Sequence, residues 1–277
     1  MSQDASDELR LLRDEIGRLR RSLSELTPPL DVLLRRRGFR IYRKEPSDDL
    51  LLPEDKYISG YYEMMKKYSF RLFLRDAIKH QAFFRLENVT RYATSEVTSD
   101  YNDYMNSIGM IERVPGGFRL ASGPIKSFGE TLEWFLAEIF RREFGTEAVW
   151  GIRAKRPNIG GDYDLIAKID GSILYMEIKS SPPKQIYQTE ISAFMDRFLD
   201  LHPEISIFFM DTELRMKDKI VPMFEAELRT RYKEPPALAR MEKELFQTQD
   251  KLFIMNAKDS ITSNIEKVLS WFFRMNR

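Results

Sequence analysis

The sequence predicts an α/β fold, because segments with a helical pattern alternate with segments that have a strand pattern between residues 130 and 229. The helical segments place apolar side chains three and four positions apart, whereas the strand segments are short apolar runs. Two turn signals separate them, Gly145 after a helix and Asp170-Gly171 between two strands. Together these observations predict the order helix, three strands, helix, strand and helix.

The first of these elements is a helix over residues 130–144, and Gly145 is its expected end. Glu133 lies at the edge of the buried stripe of this helix, so its carboxylate could reach the sheet. Glu130 and Glu138 are weaker candidates for the same position. The stripe itself consists of Leu132, Leu136, Ile139 and Phe140.

Three strands follow this helix, and the last two form a hairpin around Asp170-Gly171. Because side chains alternate between the two faces of a strand, Glu177 and Lys179 point to the same side. The hairpin would bring Asp164 close to Glu177, so that two carboxylates and an amine converge at one spot. The predicted strands are residues 148–154, 163–169 and 173–180.

This group of side chains has two interpretations. Two carboxylates are hard oxygen ligands, and Mg²⁺ binds such ligands while it keeps several waters for phosphate chemistry. Lys179 could then orient a water or stabilise charge on a phosphate oxygen. Alternatively, the acids and the lysine form the exposed polar face of an antiparallel hairpin, and Lys179 only pairs with a carboxylate. The order of the surrounding elements favours the first interpretation.

The combination of Asp164, the hairpin, Glu177 and Lys179 resembles the motif of the PD-(D/E)xK nuclease superfamily, which includes Holliday junction resolvases and Mrr-type restriction enzymes. This resemblance implies a restriction-endonuclease-like domain over residues 125–277, with a mixed-sheet α/β core and helices on both faces. The Gly-x-Asp pattern in front of apolar residues favours Asp164 over Asp162 as the metal-binding acid.

The resemblance also implies a chemistry, in which the chain is a nuclease that hydrolyses DNA with Mg²⁺ or Mn²⁺. Asp164, Glu177 and the carbonyl oxygen of Ile178 would bind the metal. Lys179 would position the attacking water, and Glu133 would complete the acidic cluster. The alternative function is a non-catalytic DNA-binding or adaptor protein with a degenerate nuclease fold.

The core is expected to continue after the hairpin with a helix near residues 185–201. Related nucleases often carry a polar residue there that touches the site, which makes Gln188 a further catalytic candidate. The alternative is a solvated glutamine in the first helical turn. Asp211 is expected to cap a later helix. The remaining elements are a strand at 205–210, a helix at 216–229, an edge strand at 251–255 and a final helix.

Residues 61–122 resemble a winged helix-turn-helix domain. Three helical segments precede a β-hairpin at residues 110–120, which would be the wing. The third helix, residues 95–107, is acidic and lacks lysine and arginine, which counts against insertion into a DNA groove. A protein-interaction or structural role is therefore as well supported as DNA reading. The candidates for phosphate contacts are Arg91, Arg113 and Arg119.

Residues 1–27 predict an amphipathic helix whose apolar residues have coiled-coil spacing. The helix could form a homodimer or pack on its own body. Residues 28–60 are expected to be a linker, in which Arg35-Arg36-Arg37 is a solvated basic turn that could touch phosphates. The heptad positions are Leu9, Leu12, Ile16, Leu19, Leu23 and Leu26.

Composition excludes several functional classes. The chain of 277 residues has no cysteine, so disulfides and thiolate zinc sites are excluded, and His80 and His202 are not spaced as metal ligands. The net charge of +1 argues against a strong global attraction to nucleic acid, so DNA would have to bind to local patches. The absence of a phosphate-binding loop argues against an ATPase motor. Without a signal peptide or a long apolar run, a cytoplasmic protein with no membrane segment is expected.

Overall fold

The structure is a computed structural model that describes residues 12, 15–19, 22, 28–90, 93–155 and 161–275. The helices are α1 (Leu30–Arg36), α2 (Ile58–Met65), α3 (Tyr68–Lys79), α4 (Leu86–Val89), α5 (Ser95–Ser107), α6 (Gly129–Glu143), α7 (Gln188–Leu201), α8 (Ile220–Arg231) and α9 (Ile261–Met275). The strands are β1 (Arg40–Arg43), β2 (Ile111–Val114), β3 (Gly117–Leu120), β4 (Ala148–Lys155), β5 (Tyr163–Ile169), β6 (Ser172–Lys179), β7 (Ile205–Met210), β8 (Ala239–Glu242), β9 (Leu245–Thr248) and β10 (Leu252–Asn256).

One mixed sheet of eight strands, in the order β1-β4-β5-β6-β7-β10-β9-β8, is the centre of the fold. Strands β1, β4, β5 and β6 pair antiparallel, whereas β7 is parallel to both β6 and β10. Strands β9 and β8 complete the sheet with antiparallel pairs. Helices cover both faces, so the predicted α/β fold with a mixed sheet is confirmed.

The central strands are buried on both faces, which explains why their sequences are nearly continuous apolar runs. On β6, Leu174 and Met176 belong to the core on one face, whereas Ile173 and Tyr175 belong to the core on the other. Helices α6 and α9 contribute to the first core, and α1, α7 and α8 contribute to the second. Alternation along β6 therefore assigns Glu177 to the face that α7 and α8 cover.

Helix α7 has clear signals at both ends and an unusual residue in its buried stripe. At its start the N–H of Tyr187 donates to the Glu190 carboxylate at 2.9 Å, and at its end His202 adopts a left-handed conformation with φ of 49°. Arg197 is buried on this helix together with Ile191 and other apolar side chains. Its guanidinium therefore points into the core, toward β6.

Two segments differ from the prediction. Residues 28–60, expected to be a linker, contain α1 and β1, and β1 extends the sheet because Arg40 pairs with Lys155 and Arg43 pairs with Arg153. The predicted edge strand at 251–255 is instead the interior strand β10, with β8 at that edge of the sheet. Both β1 and β10 have a neighbour that is distant in sequence, so local patterns do not reveal their positions. The division of the chain into domains stays a prediction.

The segment upstream of α6 shares a core with the sheet. Helices α3, α4 and α5 and the β2–β3 hairpin lie where the sequence predicts them, and Thr94 caps α5 by accepting the N–H of Val97 at 3.3 Å. Tyr61 and Phe70 belong to the same apolar core as Phe135 of α6. The assignment of this segment as a winged helix-turn-helix domain stays a prediction.

The predicted N-terminal helix lies mostly outside the described residues. Residues 15–19 are helical, and Leu12, Ile16 and Leu19 are 53%, 48% and 52% exposed. These three side chains therefore do not pack into the core, and the predicted homodimer remains untested. No helix within the described ranges combines the length and the apolar character that a membrane crossing requires.

Candidate functional site

Asp164 and Glu177 lie on neighbouring strands and on the same face of the sheet. Leu165 of β5 pairs with Met176 of β6, so the antiparallel register places Asp164 opposite Glu177. Side chains in such a pair have Cβ atoms about 5 Å apart. The structure thus brings together the two acids that the sequence predicts as metal ligands.

Glu177 is buried, and both of its carboxylate oxygens are engaged. Oε1 accepts from Lys179 Nζ at 2.8 Å and from Arg197 Nη2 at 2.7 Å. Oε2 accepts from the hydroxyl of Tyr175, and that hydroxyl accepts from Arg197 Nε at 2.8 Å. Burial raises the pKa of Glu177, but the charges of Lys179 and Arg197 outweigh burial and hold the pKa below its usual range. Glu177 is therefore an ionised carboxylate within a closed network.

Asp164 has less compensation for its charge. Its Oδ2 accepts the N–H of Ile178 at 2.7 Å, and Lys179 is the nearest cation that lowers its pKa. Burial and the negative charge of Glu177 prevail, and they raise the pKa of Asp164 to about 7. A further cation beside this carboxyl would favour its charged form. The predicted role of the Ile178 carbonyl as a metal ligand stays a prediction.

Glu133 approaches these acids from α6 at a glycine of β4. Gly151 has φ of 57°, and a Cβ at this position would lie 2.4 Å from Pro46 Cδ, so the position requires glycine. The same Cβ would lie 3.7 Å from Glu133 Oε2, which places that carboxylate against the backbone of β4. Burial and the charge of Asp164 raise the pKa of Glu133 well above its usual value. The structure thus brings the predicted helix acid into the cluster.

Lys179 connects this cluster to α7, since its Nζ also lies 3.7 Å from the carboxylate of Glu190. Burial lowers the pKa of Lys179, but Glu177 and Asp164 raise it more strongly, so the ammonium stays charged. The lysine does pair with a carboxylate, as the alternative interpretation of the motif expects. The pair is buried among acids, however, because the Lys179 side chain is only 20% exposed.

Sequence analysis missed Arg197 and Tyr175, which hold Glu177 in place. The available signal was a charged residue inside the buried stripe of α7, because an arginine at such a position needs a partner in the core. The sequence could not identify that partner, since Arg197 and Glu177 are 20 residues apart and belong to different elements.

The structure does not bring Gln188 to the site. Its side-chain amide donates to Glu227 at 2.9 Å and to the carbonyl oxygen of Met223 at 3.2 Å, and both partners belong to α8. The first turn of α7 instead contributes Glu190. Gln188 is therefore a surface residue that links two helices, in agreement with its alternative interpretation.

The arginines predicted to contact nucleic acid lie far along the chain from this cluster. Arg119 pairs with Glu112 at 2.6 Å across the β2–β3 hairpin, and both side chains are exposed. The guanidinium of Arg113 lies 5.7 Å from the centre of the Phe118 ring. Arg91 lies outside the described residues. The predicted roles of the three arginines stay predictions.

Asp211 is not the helix cap that the sequence predicts. It is fully buried at the end of β7, where its Oδ1 accepts from Arg71 Nε at 3.0 Å and from Arg71 Nη2 at 2.8 Å. The helix that follows begins only at Ile220. The N–H of Asp211 donates to the carbonyl oxygen of Lys179 at 2.8 Å, so this ion pair lies beside the acidic cluster.

The carboxylate oxygens of this cluster suit a hard divalent cation that takes only some of its ligands from the protein. No set of three or more His, Cys, Asp or Glu side chains in the described part of the chain is arranged to hold a metal ion. Mg²⁺, however, usually takes one or two carboxylates and keeps several waters. Asp164 and Glu177 offer such oxygens, and burial together with the charge of Glu177 raises the pKa of Asp164, which a bound cation would lower. To bind a metal ion, Glu177 would have to give up its contact with Lys179 or with Arg197.

Comparison with known proteins identifies the fold. No protein-family model and no curated protein matches the chain. Its structure is similar to that of Can2 from Sulfobacillus thermosulfidooxidans in complex with cyclic tetra-adenylate, with 13% identity and a TM-score of 0.51 over 87% of this chain. A second similar structure is protein VC1899 from Vibrio cholerae, with 10% identity and a TM-score of 0.46 over 87% of this chain. The chain spans 60% of the length of each of these proteins. The likeness to Can2 supports the mixed-sheet, restriction-endonuclease-like α/β fold that the sequence predicts.

Proposed function

We propose that this chain is a metal-dependent phosphodiesterase that hydrolyses nucleic acid, with DNA as its substrate. One observation carries the proposal: three carboxylates and a lysine from α6, β5 and β6 converge at one spot, and two of the carboxylates have raised pKa values. Can2, whose fold is similar, is in complex with a cyclic oligonucleotide, which is consistent with a ligand of the nucleic-acid type.

Each side chain of the cluster has a role in this proposal. Asp164 and Glu177 would hold Mg²⁺ or Mn²⁺ together with the carbonyl oxygen of Ile178. When bound, such a cation polarises the phosphoryl group and lowers the pKa of a bound water. Lys179, held by Glu177 at 2.8 Å, orients the attacking water and stabilises charge on a phosphate oxygen. Glu133 completes the acidic cluster at Gly151.

A second candidate function is a non-catalytic adaptor, and the network around Glu177 favours it. Arg197 and Lys179 already supply positive charge to Oε1, and Tyr175 occupies Oε2. In an adaptor, Arg197 would replace the metal permanently and the cluster would only stabilise the sheet. The two functions differ in one measurable property, which is the binding of a divalent cation.

The proposal is tested by incubating labelled single-stranded, duplex and branched DNA, and RNA, with the full chain in Mg²⁺, Mn²⁺ or EDTA. Wild type should cut DNA only when metal is present. Lys179→Ala should reduce the cleavage rate by at least about 100-fold, because the ammonium that orients the attacking water and stabilises charge on the phosphate oxygen is lost. Lys184→Ala is the matched control, since Lys184 is an exposed lysine five positions later and should leave the rate unchanged.

The outcomes separate the candidate functions. Cleavage that is equal in wild type and Lys179→Ala would remove the proposed mechanism. Metal-dependent cleavage of RNA alone would keep the mechanism and change the substrate. If neither protein cuts any substrate and calorimetry detects no Mg²⁺ or Mn²⁺ binding, the adaptor function replaces the nuclease.

A further inference from the structure

The edge strand β1 and the turn before it form a strongly basic surface outside the acidic cluster. Six of the ten residues from 35 to 44 are lysine or arginine, and none of the ten is acidic. This density contrasts with the net charge of +1 for the whole chain. The β1 cationic surface consists of Arg35, Arg36, Arg40, Tyr42, Arg43 and Lys44.

Several of these cations have no partner within the described part of the chain. Arg43 pairs with Asp48 and Lys44 pairs with Asp31, but Arg35, Arg36 and Arg40 are exposed and make no ion pair there. The neighbouring Arg37, by contrast, pairs with Glu204 at 2.6 Å. Unpaired arginines that lie close together repel one another, and an anionic ligand would relieve that repulsion.

An exposed aromatic ring lies in the middle of these cations. Tyr42 is 63% exposed, and Arg40, two positions earlier on β1, is exposed as well. The neighbouring Ile41 packs against the apolar core and anchors the strand. A groove of about 830 Å³ extends along the segment from Asp31 to Lys44. A ring flanked by arginines along a groove is the arrangement that binds single strands, since bases stack on the ring and phosphates pair with the cations.

The pairing of β1, β4 and β5 shows where the β1 cationic surface lies relative to the acidic cluster. Arg43 pairs with Arg153 of β4. One position earlier on β4, Ile152 pairs with Tyr163, the residue before Asp164. The C-terminal end of β1 is therefore level with Asp164 across the sheet. Because neighbouring strands are about 4.8 Å apart, β1 lies roughly 10 Å from β5.

We propose that the β1 cationic surface binds single-stranded nucleic acid, with Arg35 and Arg40 on phosphates and Tyr42 stacked against a base. Duplex DNA fits this surface less well, because its bases are already paired and stacked and cannot cover the Tyr42 ring. The further role of the surface, which is to deliver the strand to Asp164 and Glu177, rests on the proposed nuclease function. Binding itself does not require hydrolysis.

The test measures binding without metal, so that it is independent of cleavage. The fluorescence anisotropy of a labelled 20-nucleotide single-stranded DNA is recorded against the full chain in EDTA over a series of salt concentrations. Tyr42→Ala should weaken binding by about 5- to 150-fold, and Tyr42→Phe should bind like wild type because it keeps the ring. Arg35→Ala/Arg40→Ala should lower the slope of log K against log salt by about 1.4, or about 0.7 for each lost phosphate contact.

Arg229→Ala is the matched control, because Arg229 on α8 is exposed and makes no ion pair with any described residue, so the variant should bind like wild type. Circular dichroism of every variant verifies that the fold is intact. Wild type that does not bind the single strand would overturn the proposal, as would Tyr42→Ala that binds like wild type. Tighter binding to duplex than to single strand would overturn it as well. Binding of the single strand, with neither cleavage nor binding of Mg²⁺ or Mn²⁺, would retain this proposal and remove the nuclease, whereas cleavage without binding at β1 would do the opposite.

Discussion

Two buried ionic clusters lie at the ends of adjacent strands, and they differ in charge balance. At the end of β7, the single acid Asp211 pairs with the single cation Arg71. At β5 and β6 the acids outnumber the cations. The two clusters are connected through one hydrogen bond between the backbones of Asp211 and Lys179. The members of the second cluster are Glu133, Asp164, Glu177, Lys179 and Arg197.

The difference in balance indicates what each cluster is for. Arg71 also donates to the carbonyl oxygens of Met65 at 2.7 Å and Lys66 at 3.2 Å, so the balanced pair fastens α2 and α3 to the sheet. The unbalanced cluster also links β6 to α7, through Arg197 and Lys179, but its acids are not matched one to one by cations. It raises the pKa of Asp164 to about 7, which weakens the metal-free fold at neutral pH. A matched pair thus fits a purely structural connection, whereas the surplus of acids fits the proposed metal site.

The largest effect is expected at the balanced cluster. Arg71→Met would leave the Asp211 carboxylate buried without a cation, which should lower the free energy of unfolding by about 3–5 kcal/mol in urea titrations. Asp211→Asn together with Arg71→Met removes both charges and should recover part of the loss, because no buried charge is left unpaired. Equal stability of Arg71→Met and wild type would contradict a structural role of the pair.

The second effect concerns Gly151 of β4, which lies beside the Glu133 carboxylate of the unbalanced cluster. Gly151→Ala should lower the free energy of unfolding by about 3 kcal/mol, because it places a Cβ at positive φ and against Pro46 Cδ at 2.4 Å. Gly109→Ala is the matched control, since Gly109 also has positive φ but no atom within 4 Å of the added Cβ. Similar losses in the two variants would show that Pro46 yields easily and that the positive φ alone causes the loss.

The third effect has the opposite sign and depends on pH. The folded pKa of Asp164 is about 7, above its ordinary value of 3.8, so the folded protein binds this proton more tightly than the unfolded chain does. Stability is therefore lost as pH rises from about 4 to about 7. Asp164→Asn carries no charge and escapes this loss, so at pH 8 it should be more stable than wild type by on the order of 2 kcal/mol.

The pH dependence is checked with a control variant and with a stability measurement in Mg²⁺. Asp103→Asn changes an exposed acid of α5 and should leave stability unchanged at pH 4 and at pH 8. If Asp164 binds a divalent cation, adding Mg²⁺ at pH 8 should stabilise wild type and not Asp164→Asn. An Asp164→Asn variant that is less stable than wild type at pH 8 would contradict the charge imbalance.

The sequence predicted the unbalanced cluster better than the balanced one, and the reason is sequence distance. Strand alternation and a two-residue turn are local signals, and they were sufficient for Asp164, Glu177 and Lys179. The partners Arg71 and Asp211 are 140 residues apart, and no local pattern connects them.

The fold shows the same limit. The hairpin and the alternating core elements follow from local patterns, whereas the short strand β1 has only two uncharged residues between two arginines and was expected to be part of a linker. Its pairing with β4 depends on a contact between Arg40 and Lys155 that only the folded sheet reveals. Long-range strand pairing thus explains why two predictions were wrong: that residues 28–60 are only a linker, and that residues 251–255 form an edge strand.

The smallest effect is expected for an ion pair on the surface, which sets the scale for both buried clusters. Arg119 and Glu112 are 2.6 Å apart, but solvent screens their charges because both side chains are about half exposed. Arg119→Ala should therefore change the free energy of unfolding by less than about 0.5 kcal/mol in urea titrations. A loss as large as that of Arg71→Met would mean that ion pairs stabilise this protein regardless of burial, and charge balance would then cease to separate structural clusters from ligand sites.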